Sequence, residues 1–413
     1  MSDATLTDSD AGTNPFEEFN KAMGAEGDAS PYPAFIEARG ASPIDDSAAT
    51  PFGLGGDADG DAFNLYTAYT YDAVHEILGD GERFTSSGYA LVMGEVFGRS
   101  ILEMDEPDHH HYRSMLQQAF TRKEMERWEA GLVRDLVNGM IDEFAADGHA
   151  ELMSQLMFLF PVNVIAELLG LPAEDLPEFH RLAVELIGVT VDWDRAVAAS
   201  AKLKDYFAGI LAERRAHPAD DMISVLAHAE DEGQHLTDDD IFAFLRLLLP
   251  AGAETTYRSS SNLLLGLLTH TDQLDALRAD RSLMPQAIEE GIRWEPPLLL
   301  IVRSALQDTE VCGVPIAKDG SIMLMLGSAN HDETRWERAE EFDIFRKRIP
   351  HIGFASGTHM CLGMHLARME TKVVLNALFD RLPNLRLDPA HPDPYIAGMT
   401  FRAPPALHVV WDT

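Results

Sequence analysis

The chain has 413 residues, with 32 Lys+Arg against 68 Asp+Glu and a net charge of −36. So acidic a field repels phosphate backbones and anionic lipid surfaces, which excludes nucleic acid and membrane as expected partners. Only two cysteines, Cys312 and Cys361, no apolar run near the roughly 18 residues of a membrane span, and no basic-then-apolar leader together predict a cytoplasmic protein in a reducing compartment.

Residues 1–13 are polar and acidic, without an apolar period, and read as a disordered tail. Residues 14–24 carry a short helical pattern. A firmer helix follows, with Ser30 as cap, Pro31 at its first position, and Phe35, Ile36 and Ala38 on its apolar face. Residues 63–71, rich in Tyr, Thr and Phe, predict a strand, and 73–78 a short helix. Residues 86–99 hold Tyr89, Leu91, Val92, Met93 and Phe97 without a period. Such an apolar loop must pack or line a pocket. Pro107, with acids around it, then opens a helix on which His109 and Arg113, four apart, share a face. Three consecutive histidines otherwise read as a solvated patch, because consecutive helix positions cannot all face one ion.

From 126 to 230 the pattern is helical, punctuated by Pro172 and Pro218. Leu182, Leu186, Ile187 and Val191 suit either core or pocket lining. Residues 237–269 form one long helical pattern with a broken interior. Pro250 and Gly252 there cost roughly 3 and 1 kcal/mol, and Glu254, Thr255 and Thr256 follow among leucines. Either the kink is merely tolerated, with Glu254 in solvent, or it frees a carbonyl and opens a groove. Glu290 and Arg293 form an i, i+3 pair, a type usually exposed and contributing about 0–1 kcal/mol. Pro296-Pro297 ends that helix. Strands are expected at 298–302, within 311–330, at 385–387 and at 407–410, with a pocket-facing turn at 398–401.

Residues 354–370 read FASGTHMCLGMHLARME. A glycine-containing turn delivers Cys361 just before a helical run over 362–378, whose free N–H groups and positive dipole end face the sulfur. That setting favours thiolate and makes the sulfur a strong metal ligand. Phe354 can cover the sulfur, Gly357 and Gly363 permit close backbone approach, and His359 can offer a donor to a bound anion. Two other readings stand beside this one. Cys361 can be a small buried hydrophobe, or it can share zinc with His365 and His359, although no further ligands lie nearby.

Residues 354–370 resemble the haem-binding signature of the cytochrome P-450 family, Phe-Gly-x-Gly-x-His-x-Cys-x-Gly followed by Leu-Ala-Arg-x-Glu. Ala355 stands where glycine is usual. Three further stretches resemble family motifs in the same order: His109-x-x-x-Arg113, the Ala-Gly-x-Glu-Thr-Thr of 251–256, and Glu290-x-x-Arg293. The resemblance therefore covers most of the chain. It implies the cytochrome P-450 fold, mainly α with small β-sheets (α+β), as a single domain over 14–413 that binds haem b between the Thr255 helix and the Cys361 loop. Cys361 would be the axial ligand, with Ala251, Phe354 and Gly363 bordering the cofactor. His109, Arg113, Arg303 and His359 would neutralise its propionates. Glu254 would relay protons, Thr255 would hold the hydrogen-bond network at dioxygen, and Glu290 and Arg293 would be scaffold. Tyr89, Leu91, Val92, Phe97, Leu186 and Leu248 are expected to line the substrate pocket. Leu299, Leu300, Met399 and Phe401 would complete it.

The implied activity is that of a monomeric haem-thiolate monooxygenase, inserting one oxygen atom from O2 into a terpenoid, steroid, fatty acyl chain or aromatic. No flavin or nicotinamide glycine fingerprint and no iron–sulfur cysteine set is present. Electrons are therefore expected from a ferredoxin and its reductase, docking on the Cys361 side near Arg122-Lys123 and Arg346-Lys347-Arg348. A haem-thiolate sensor or a peroxide-driven enzyme of the same fold is the alternative, and the Glu254–Thr255 pair argues against both.

Overall fold

A computed structural model describes residues 30–46, 64–190 and 192–413, the side chains of Val92 and Thr190 excepted. The expected tail at 1–13, the helical pattern at 14–24 and Val191 lie outside the described residues. The described chain is mainly helical with small β-sheets, as expected. Its largest apolar cluster joins the helices Leu132–Asp142, Leu159–Leu168, Trp193–Ala216, Asp238–Leu248 and Met364–Arg381.

The main sheet has five strands in the order Ile44–Asp45, Leu65–Ala68, Ser321–Met325, Leu300–Ala305 and Phe84–Thr85. Leu65–Ala68 runs parallel to Ser321–Met325, and the other pairs are antiparallel. Arg303 sits opposite Ile322 in this ladder, which fixes its position. The helix Tyr32–Ala41 packs against the short helix Leu326–Asn330. Its Arg39 donates to the carbonyl and hydroxyl of Ser328, to the His331 carbonyl and to Glu333. The smaller sheet pairs Arg386–Leu387 with His408–Val410, and that strand with His149–Glu151.

Two expectations change. Residues 86–99 are not a loop, because Tyr89–Phe97 is a helix. Its pattern hid the period because the surroundings are uneven: Val96 and Phe97 are buried while Leu91 is 92% exposed. The helix stops at Gly98, whose φ of 79° favours glycine, and the Val96 carbonyl accepts from the buried Arg246. The long pattern at 237–269 is three pieces: the helix Asp238–Leu248, a π-helical turn Leu249–Glu254, and the helix Thr255–Thr269. Pro250 has no N–H to give and its ring crowds the carbonyl four residues back, so the chain widens into an i→i+5 turn there. Thr237 and Asp240 close the front of the first piece with a capping box.

Candidate active site

The Cys361 loop is shaped by two residues in the left-handed region, Ala355 at φ 58° and Gly357 at φ 72°. At Gly357 a side chain would collide with the Leu78 carbonyl. The loop closes through Cys361 N–H to the Phe354 carbonyl (2.9 Å) and Met360 N–H to the Gly357 carbonyl (3.1 Å). Helix Met364–Arg381 begins directly after, and the Gly363 amide donates to the Cys361 sulfur. Burial nevertheless pushes the thiol above its ordinary value, against the pull of that amide and of Arg113 and Arg368.

Four basic side chains meet beside this loop. His109 is buried, and its Nε2 has no hydrogen-bond partner. Its ring centroid lies 4.1 Å from that of His359. Arg113 donates to the Met360 carbonyl at 2.7 Å, one residue before the cysteine. Arg303 is buried, and desolvation lowers its proton affinity. Burial, then Arg303, His109 and Arg113, push His359 down to about 3. Glu106 lies 3.4 Å from His109 Nδ1 and also accepts from the His110 N–H at 3.2 Å, and Asp105 acts on both His109 and Arg303. In so acidic a chain, two arginines, one of them buried, beside two neutral histidines and an orphaned ring nitrogen make a cradle for added anionic charge, which would raise the histidines' proton affinity again. The two carboxylates of haem fit that cradle, and Cys361 stands next to it to take the iron.

The wide turn Leu249–Glu254 is the second element that leads into a helix of the site. Ala251 is exposed, and Gly252 and Thr255 are partly so, although Ala253, Glu254 and everything from Thr256 to Leu268 is buried. The turn frees the Ala251 carbonyl, which accepts from Thr255 Oγ1 at 2.7 Å. Glu254 does not reach solvent. It is 2% exposed and meets Arg258 Nη2 at 3.1 Å. Burial raises Glu254 to about 7 despite that guanidinium. Helices Thr255–Thr269 and Met364–Arg381 touch where Ser260 and Thr371 share a hydrogen bond (2.9 Å) and where Thr256 meets Glu370. The exposed face of the wide turn and the cysteine loop thus precede two helices that are locked together.

Glu290 and Arg293 form a buried bidentate pair at 2.7 and 2.8 Å, not a surface one. Arg293 also donates to the carbonyls of Asn330, Ala339 and Glu341, stapling the segment that leads to the cysteine loop. Phe354 packs under the Arg368 guanidinium at 4.4 Å. Zinc finds no site here: His365 is exposed, and among the described residues no three His, Cys, Asp or Glu side chains form a metal-holding group.

The expected pocket residues do not form one wall. Tyr89 Oη accepts from Val302 N–H at 3.0 Å, and Leu248 is buried beside the wide turn. Leu91 is 92% and Met399 40% exposed, while Phe401 lies by Arg258. Phe97 and Leu186 belong to the main core. Leu299 and Leu300 pack with Tyr32, Phe35 and Met325. Leu299 fills the space over Gly327. The side chain of Val92 is outside the described residues. Arg258 and Glu370 were missed as partners of Glu254 and Thr256. The i, i+4 spacing of an acid and an arginine in an apolar helix was the available signal for Arg258.

A match to the family described as Cytochrome P450 spans residues 185–390. The cytochrome P450 monooxygenase PikC of Streptomyces venezuelae is 31% identical over 404 residues, covering 94% of this chain and 93% of that protein. The steroid C26-monooxygenase of Mycobacterium tuberculosis is 33% identical over 351 residues, 82% of this chain and 94% of its own. Among solved structures, CYP109E1 from Bacillus megaterium in complex with testosterone has a TM-score of 0.83 at 29% identity, covering 93% of this chain and 100% of that one.

Proposed function

The chain belongs to the cytochrome P450 family, and from that premise we propose that it is a haem b monooxygenase acting on an apolar small molecule of steroid or terpenoid type, with electrons supplied by a ferredoxin. The observation that carries this reading is the meeting of buried His109 and Arg303 with partly buried Arg113 and His359 beside the loop that ends at Cys361. These four residues would hold the carboxylate edge of the haem, and Cys361 would hold its iron. Haem bound through a thiolate supplies the oxidising chemistry, because the sulfur pushes electron density toward O–O cleavage.

The chain's own part is to deliver protons and exclude water. Thr255 presents its hydroxyl on the exposed face of the wide turn, held in direction by the Ala251 carbonyl. Glu254 stores a proton one residue away, since burial keeps it largely protonated up to about pH 7. An acid of that kind next to a hydroxyl suits general-acid delivery. A sensor or a peroxide-driven protein has no use for this arrangement. The steroids named for two similar proteins favour an apolar ligand.

A cleft of about 360 Å³ opens outside the cysteine loop, with Lys347, Arg348, Met360 and Arg368 among its lining. Lys347 and Arg348 are exposed there and suit an acidic electron donor such as a ferredoxin. Arg346 is withdrawn from that role. Its guanidinium binds Glu290 and the carbonyls of Glu337, Arg338 and Glu341. Among the described residues no helix is long and apolar enough to cross a membrane. We place the protein in the cytoplasm as a monomer, one domain over 14–413, on the grounds of its acidity and unpaired cysteines. Turnover under ¹⁸O₂ with a ferredoxin, its reductase and a steroid panel tests the proposal. One labelled oxygen atom per product molecule is the expected result. Product with unlabelled oxygen, or turnover that proceeds only with peroxide, overturns it.

A further inference from the structure

A buried arginine in an apolar helix is costly unless its charge is answered. Arg258 is 2% exposed, four residues after Glu254, and on the same face of the chain. Its Nη2 donates to Glu254 Oε1 at 3.1 Å. Its Nη1 donates to the Phe401 carbonyl at 3.4 Å. The guanidinium carbon lies 4.9 Å from the Tyr257 ring centroid and 5.8 Å from that of Phe401. One cation therefore touches the acid at the end of the wide turn and the backbone of the 398–402 turn.

That second turn is itself well defined. Gly398 has φ 104°, and a side chain there would strike the Phe401 carbonyl. Leu298 bridges Phe401, and the Arg402 N–H donates to the Pro297 carbonyl at 3.0 Å. Arg402 is not a rival cation for Glu254, because its guanidinium is committed to Glu295 at 2.8 Å. Other titratable groups on the surrounding elements have different attachments. Glu370, on Met364–Arg381, bonds Thr256. Arg246, on Asp238–Leu248, donates to Ser200 and Val96. His180, on Leu176–Ile187, responds to burial alone. Glu167, on Leu159–Leu168, is exposed. Tyr257 is a phenol that burial pushes well above its ordinary value.

We propose that Arg258 is a positioning residue for Glu254: its guanidinium fixes the direction of that carboxyl and ties it to the 398–402 turn through the Phe401 carbonyl. The inference deepens the proton-delivery reading of Glu254 and rests on it only for its catalytic consequence. Arg258 meets the Glu254 carboxyl and acts through it. Its cation also works against burial, favouring the ionised carboxyl and keeping the proton exchangeable near neutral pH. Without it the carboxyl would hold its proton into alkaline solution and would rotate freely in an apolar recess.

The test uses the haem-loaded protein and reads the Glu254 carboxyl directly. Infrared titration follows the carbonyl band of the protonated acid, assigned by its loss in Glu254→Gln. In Arg258→Met and Arg258→Gln the midpoint should move up by about one pH unit or more. Arg258→Lys, which keeps the charge, should restore most of that shift. Coupling of electrons to product should follow the same order. A midpoint unchanged in both neutral variants overturns the inference, and the glutamine variant serves if the methionine variant does not fold. If Glu254→Gln keeps wild-type coupling while the band still moves with Arg258, the positioning holds and the proton-delivery reading is what fails.

Discussion

Glu254 and Thr255 are adjacent in sequence yet face different media, and the wide turn between two helices is what separates them. The hydroxyl lies on the partly exposed face, and the carboxyl is sealed against Arg258. Thr255→Ala is expected to bind haem normally while product per electron falls about tenfold or more, within the usual range for a positioned proton donor. Parallel measurement of haem content and coupling checks it, and wild-type coupling would remove Thr255 from the relay. The pH response follows from the raised carboxyl. Glu254 is lifted from 4.5 to about 7, so the folded protein binds this proton more tightly than the unfolded chain. Its contribution to stability is therefore largest at acid pH and declines as pH rises from about 4.5 to about 7. Glu254→Gln should flatten that part of a stability–pH curve, as measured by denaturant unfolding. At this scale the sequence was most readable where chemistry demands an unusual residue: a cysteine before a helix, an acid among leucines, a histidine and arginine four apart. It was least readable where a residue is simply apolar. Leu299 and Leu186 look alike in sequence, and only packing shows that they join different apolar clusters.

Among the elements, the cysteine loop and the wide turn carry the site. Ala355 and Gly357 share the left-handed conformation but differ in surroundings, and this separates their expected variants. Ala355→Gly relieves about 1–2 kcal/mol of strain but loses about 0.8 kcal/mol of methyl burial and some chain rigidity. Stability should change by less than about 1 kcal/mol. Gly357→Ala adds the same strain and a collision with the Leu78 carbonyl. It should cost about 2–5 kcal/mol and lower haem retention. Thermal unfolding of the two variants checks the contrast, and equal losses would contradict it. The helix Tyr89–Phe97 shows why its type was missed. Hydrophobic period reports which face is covered, and a short helix covered on some sides and bare at Leu91 has no regular face. The breaks at Pro250 and Gly252 were visible, but a π-helical turn, as opposed to a bend, depends on how neighbours such as Ile165 and Leu248 close around it.

For the whole molecule, the net charge of −36 makes each inward-facing cation informative. His109, Arg113, Arg303 and His359 were legible as a set only because four separated motifs share one family order. No local pattern in the sequence would have brought Arg303, in a central strand, beside His359. The outward basic residues near the same loop are fewer than expected, since Arg346 is consumed by Glu290 and three carbonyls. Lys347→Glu with Arg348→Glu should slow reduction by a ferredoxin at least several-fold at low salt, with the difference shrinking as salt rises. Stopped-flow reduction rates would show it, and salt-independent, unchanged rates would place the electron donor elsewhere. The most direct measurement is the absorption spectrum of the reduced, carbon-monoxide-bound protein, for wild type and for Cys361→His side by side. The account predicts the long-wavelength thiolate band in the wild type and its loss, with haem retained, in the variant. A wild type without that band when fully loaded with haem, or a variant that keeps it, would contradict the assignment of Cys361 to the iron.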